Sequence, residues 1–169
     1  MLQEQKLALV VATICMVAGS VACRRSPQER EATFLKRGRA LLEQKNYSRA
    51  ILEFRNATSA MPTDAEPYYQ ISLAYFETGN HETSVAALRK ALALNPKHAG
   101  AQLRLAALMT TSLDKKVLAD AENRLQELLA VPQKNAEAMD TLALTEWKLG
   151  RPEAAANSLT VCPPTSPAS

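Results

Sequence analysis

The sequence predicts an all-α chain built as a series of antiparallel helix pairs, and three observations predict it. The 169 residues hold only five Gly and 5% aromatics, while Ala, Leu, Glu, Lys, Arg and Gln are abundant, which favours helix over strand. Residues recur at a spacing of 34: Asn46-Tyr47 as Asn80-His81, Ala50 as Ser84, Phe54 as Leu88, Ala57 as Ala91 and Pro62 as Pro96. Between these landmarks the apolar residues form helical stripes, as Val85, Leu88, Ala91 and Leu92 do. The 47% hydrophobic and 22% charged content is that of a folded chain. The net charge of +3, from 20 basic and 17 acidic residues, is small and dispersed, so no nucleic-acid partner is expected.

The first 22 residues read as a signal peptide. Leu7 to Ala22 is an uncharged run of 16 residues, short for a spanning helix of about 20. It ends in small residues, followed by Cys23. Ser20-Val21-Ala22-Cys23 resembles the lipobox of bacterial lipoproteins. That resemblance implies lipid modification at Cys23, a mature chain of 147 residues and a cell-envelope address, membrane-anchored and facing the periplasm or exterior. Ordinary cleavage after Ala22 and an uncleaved anchor helix remain the alternatives. Residues 23–30 form a tether and the start of the first helix, where Ser26 and Glu29 fit a capping box around Pro27.

Helices are expected near 26–44, 47–60, 64–78, 81–94, 98–112, 116–130, 135–149 and 152–160. Asn46 and Asn80 stand where the second helix of a pair wants an N-cap. Pro62, Pro96 and Pro132 separate the pairs, and Pro163-Pro164 ends the pattern, leaving 163–169 as a disordered tail. The stretch Thr110 to Lys116 makes the third inter-helix turn about three residues too long, after which the register recovers at Ala121, Leu125 and Leu128.

This period, with its alternation of large and small residues and a closing Pro, resembles the tetratricopeptide repeat (TPR). Phe34, Gly38, Leu41, Ala50, Phe54, Ala57 and Pro62 carry the first copy, and Tyr68, Ile71, Ser72, Tyr75, Ser84, Leu88, Ala91 and Pro96 the second. Arg37 departs from the Leu the family prefers. The resemblance implies a right-handed solenoid of about three and a half repeats over 31–162, divided as 31–64, 65–98, 99–135 and 136–162. The chain is similar to bacterial TPR lipoproteins, including multi-repeat ones linked to exopolysaccharide and protein-sorting (exosortase) systems. They imply a non-catalytic scaffold.

In such arrays the first helix of each repeat lines a concave groove. The groove positions of the family fall here on Lys36, Arg39, Tyr69, Gln70, Leu73, Phe76, Leu103, Arg104 and Trp147, while Tyr69 and Phe76 equally suit packing against neighbouring helices and Trp147 the cover of a seam between repeats. This mix of aromatic and basic residues suits a protein or peptide partner carrying acidic groups. The chaperone-tail clamp wants Lys and Asn where this chain has Leu35 and Arg39, so such a tail is not expected. The array lacks a polar capping helix at its end, which opens the C-terminal face to self-association or marks a truncated longer array.

No chemistry stands out. His81-Glu82 does not extend to a zinc motif, since position 85 is Val, and Cys15, Cys23 and Cys162 have no zinc spacing. The glycines lie too far apart for a phosphate loop, and no Ser sits in a nucleophile elbow. Catalytic residues, metal and cofactor are all expected to be absent.

Overall fold

A computed structural model describes residues 26–130 and 135–160. The leader 1–22, Cys23, Pro132, Cys162 and the tail 163–169 lie outside the described residues. Eight helices are described: α1 (Pro27–Glu43), α2 (Tyr47–Ala60), α3 (Glu66–Glu77), α4 (His81–Leu94), α5 (Ala99–Thr110), α6 (Lys115–Leu129), α7 (Ala136–Lys148) and α8 (Pro152–Thr160). Each packs against the next in the chain. Among the described residues no helix is long and apolar enough to cross a membrane.

The helix starts follow local chemistry. At α1, the Glu29 N–H donates to Ser26 Oγ at 3.1 Å and the Ser26 N–H donates to Glu29 Oε2 at 3.0 Å, a complete capping box with Pro27 at the first helical position. Asn80 accepts from the Thr83 N–H, but Asn46 caps α2 without a side-chain bond. Turns between paired helices reverse the chain through a left-handed residue: Lys45 (φ 56°), Gly79 (φ 76°) and Gly150 (φ 81°).

Small residues set the spacing within a pair. Ala50, Ser84, Ala121 and Ala155 are all buried, and one turn on, Phe54, Leu88 and Leu125 are fully buried. Gly38 of α1 faces Phe54 so closely that a Cβ on it would stand 2.3 Å from the ring. The buried residues form three clusters in series along the array rather than one centre. Polar ties cross the seams. Ser84 Oγ donates to the Ser72 carbonyl at 2.9 Å, Thr110 and Thr145 share a hydroxyl bond at 2.8 Å, and Arg151 pairs with the buried Glu122.

The third pair departs from the simple expectation of a long turn. Only residues 111–114 form its turn, and the remaining extra residues become the first turn of α6. Lys116 occupies the register position of Gly79 and Gly150 yet is helical, and Asp114 caps the lengthened helix through the Lys116 N–H at 2.8 Å. A helix propagates at the cost of one residue's freedom per bond, so extra residues with good helix propensity extend it.

Gly38→Ala is expected to destabilise. Helix propensity returns about 1 kcal/mol, but overpacking against a ring with no room to move costs about 1–3 kcal/mol. Denaturant melts of Gly38→Ala, Phe54→Leu and the double variant check it: the double variant should lose less than the two single losses added together.

Candidate functional site

Consecutive first helices touch one another, α1 with α3 and α5 with α7, whereas no two second helices do so to the same extent. In a solenoid of this kind α1, α3, α5 and α7 form the inner layer, on which the expected groove residues fall.

Glu66, at the start of α3, is the hub of that groove. Its Oε1 accepts from Arg39 Nη2 at 2.6 Å and from Gln70 Nε2 at 2.8 Å, and its Oε2 lies 3.0 Å from His98 Nε2. His98 Nδ1 accepts the Ala101 N–H at 3.1 Å, so Nδ1 carries no proton and Nε2 donates to Glu66. One carboxylate thus ties α1, α3 and the N-cap of α5 together. Burial pushes the Glu66 carboxyl up, but the bonds from Gln70, His98 and Arg39 outweigh it, and the group is held below the ordinary carboxylate range.

Tyr69 packs its ring 4.8 Å from that of His98, and a Cβ on Gly100 would meet it at 2.8 Å. Burial, opposed by the Arg104 charge, raises its hydroxyl, which stays protonated as a donor at neutral pH. Arg104 of α5 lies 5.3 Å from the centroid of the Phe76 ring of α3, and His81 meets the same ring at 5.1 Å. Lys36 is exposed and has no ion pair among the described residues. Trp147, on α7, is 64% exposed.

The expected groove residues therefore divide. Lys36, Arg39, Tyr69, Phe76, Arg104 and Trp147 retain accessible surface. Leu73 is half-buried. Gln70 is buried and engaged with Glu66, and Leu103 is buried in a core cluster with Leu125 and Leu142. Glu66 and His98 were not among the expected residues. A signal exists for His98: Asp64, His98 and Asn135 precede successive first helices, 34 and then 37 residues apart, and each accepts a backbone N–H of the helix it opens. Beside the hub, Glu31 of α1 is buried with Oε1 lacking a hydrogen-bond partner, and burial together with the Asp64 and Glu66 carboxyls pushes it up to about 7. Among the described residues no group of side chains is placed to hold a metal ion.

A row of helix pairs whose inner helices offer aromatic and cationic side chains is a TPR interaction module. Residues 22–168 match the family model described as the cytochrome c-type biogenesis protein H TPR domain, and the chain belongs to that family. The type IV pilus assembly protein PilF of Pseudomonas aeruginosa is 37% identical over 75 residues, which are 44% of this chain and 29% of that protein. The chain thus spans less than a third of that relative's length. Among solved structures, PilF of Pseudomonas aeruginosa superposes with a TM-score of 0.70 at 18% identity, over 81% of this chain and 61% of that one. MamA gives 0.65 at 21%, over 77% and 69%. The first TPR domain of Spaghetti (RPAP3), bound to the HSP90 peptide SRMEEVD, gives 0.64 at 22%, over 72% and 94%. At these identities the structures share the fold.

Glu31 gives a pH signature. Unfolded, its carboxyl titrates at the ordinary 4.5, and folded, at about 7. The folded state therefore holds this proton more tightly. Its contribution is complete below pH 4.5 and is lost as pH rises through 7. Glu66, shifted the other way, contributes above the ordinary range and loses that contribution only on acidification. Thermal melts between these pH values should show the wild type losing stability as pH rises, and Glu31→Gln should flatten the profile.

Proposed function

We propose that this protein is a non-catalytic scaffold, tethered to a membrane of the bacterial cell envelope through lipid on Cys23, that captures a segment of a partner protein in its groove. The observation that carries the capture is the inner face itself: Lys36, Arg39, Tyr69, Phe76, Arg104 and Trp147 project from four successive inner helices with accessible surface. Arg and aromatic side chains are frequent anchors of interfaces. Arg39 is held by Glu66 and Arg104 lies over Phe76, so both cations are positioned before a ligand arrives, which lowers the ordering cost of binding. A segment with carboxylates beside apolar side chains fits this surface. The acidic peptide bound by the RPAP3 domain agrees with that chemistry on the same fold. The clamp pattern itself is absent at Leu35 and Arg39, so the ligand proposed is an acidic segment other than a chaperone tail.

The envelope setting draws on the lipobox-like Ser20 to Cys23 and on two names, the cytochrome c-type biogenesis family and the pilus assembly relative. One name concerns biogenesis of c-type cytochromes and the other pilus assembly, and we propose a task of that kind for this scaffold. Self-association through the far end is the second reading, and it draws on Leu144, Trp147 and Leu159, which are 49%, 64% and 50% exposed.

Two measurements test the proposal. Arg39→Glu combined with Tyr69→Ala should weaken capture of an acidic partner segment by about tenfold or more, since each anchor is worth about 1–2 kcal/mol, and unchanged capture would remove the groove. Intact mass of the protein from bacterial membranes should show a chain starting at Cys23 with added acyl mass, absent in Cys23→Ala. A chain retaining Met1 would remove the lipid tether.

A further inference from the structure

The lengthened α6 opens a second surface, on the side of the array away from the groove. α4 meets α5 less extensively than α2 meets α3 or α6 meets α7, and α4 and α6 stand apart across the back of α5. The gap is an open cleft of about 760 Å³. Val85 and Leu92 of α4, Leu108 and Met109 of α5 and Val117 of α6 line it, and all five are half-buried. A second cleft of similar volume runs on from it and shares Val85, Arg89 and Leu108. The size lies in the range of sites that take a ligand group or a row of side chains.

One wall of this cleft departs from the chain's own 34-residue period. Lys115, Lys116 and Val117 take the register positions held by Thr78, Gly79 and Asn80 in the preceding pair, so a plain 34-residue repeat would put a turn where this chain puts a helical wall. The rim is cationic. Arg89 and Lys116 are exposed, and neither side chain has an ion pair among the described residues. Arg124 is neutralised by Asp120 at 3.2 Å, and Glu82, at the end of the second cleft, is the other acid on the lining.

We propose that this cleft docks an amphipathic helical segment of a partner protein, with aliphatic side chains between α4 and α6 and carboxylates against Arg89 and Lys116. An open trough with an apolar floor selects an apolar stripe at i, i+3, i+4 and i+7. Two unpaired cations on the rim select acidic flanks and disfavour basic ones. The first cleft holds none of the groove residues, and its continuation touches one of them, Phe76, so the array would bind on two adjoining faces.

A labelled helical peptide of about 18 residues, with Leu on one face flanked by Glu, tests this beside a twin carrying Lys at each Glu, both against the full chain. The acidic peptide should bind about tenfold or more tightly than its twin and shift the backbone amide resonances of Val85, Arg89, Leu108 and Val117. Arg89→Glu with Lys116→Glu, both on exposed positions, should erase or invert that preference. The groove variant carrying Arg39→Glu and Tyr69→Ala should leave it unchanged, so failure of the groove is a distinct result. Equal affinity for both peptides, shifts confined to Leu35, Arg39 and Tyr69, or binding of oleate with neither peptide bound would each overturn the proposal.

Discussion

Two helices lie side by side at Gly38 and Phe54 only because one of them has no side chain at the crossing. The same device recurs in weaker form along the array, with Ala50, Ser84, Ala121 and Ala155 at successive crossings and, at the first three, a large buried residue one turn on. Close approach excludes water from a narrow seam and buries apolar surface that neither helix could bury alone, at about 25 cal/mol per Å². The spacing also fixes direction. With the pairs held tightly, α1 meets α3 and α5 meets α7 on the side that carries the candidate groove residues.

Much of this was legible in the sequence because packing and spacing are local and periodic. The capping box at Ser26 and Glu29, the eight helices and the small residues at the crossings all follow from patterns that repeat. Leu103 and Gln70 show where periodicity stops being informative. Register places them on the groove side of a first helix, but the two ends of that side differ in what lies beside them: Leu103 meets the core of the third cluster and Gln70 meets Glu66. The Glu66 hub was not legible, because it joins Arg39, 27 residues away, to His98, 32 residues away. No pairwise pattern in one sequence encodes such a contact. The three extra residues near Thr110 were visible, but their fate was not: whether an insertion loops out or extends a helix depends on the propensities of Lys115 to Val117 and on the Asp114 cap.

The groove's electrostatics rest on an uneven division of charge. Glu66 is ionised and spends its two oxygens on three donors, so Arg39 presents a guanidinium already oriented but only partly neutralised. Glu31, close by and short of partners, keeps its proton into the neutral range, which spares the groove a further negative charge. Burial of a carboxyl beside other carboxyls is costly, and that cost holds the Glu31 proton to higher pH.

An insertion that shifts register by most of a helical turn would disrupt a fold with a single shared core. It is absorbed here because each helix pair touches only its neighbours, so the disturbance ends at the next seam. Beyond α6 the packing resumes with Ala138, Leu142 and Ala155 buried, and Glu122 on α6 pairs with Arg151 to lock the following turn in place. The inner helices on either side keep their cross-groove contacts, Arg104 against Phe76 and Thr110 against Thr145. The lengthening is confined to the outer layer, where α4 and α6 make no extensive contact. A quasi-linear array can thus change its outer face by insertion while the spacing that shapes its inner face stays fixed, and the apolar cleft beside Arg89 and Lys116 is the surface that such a change leaves open.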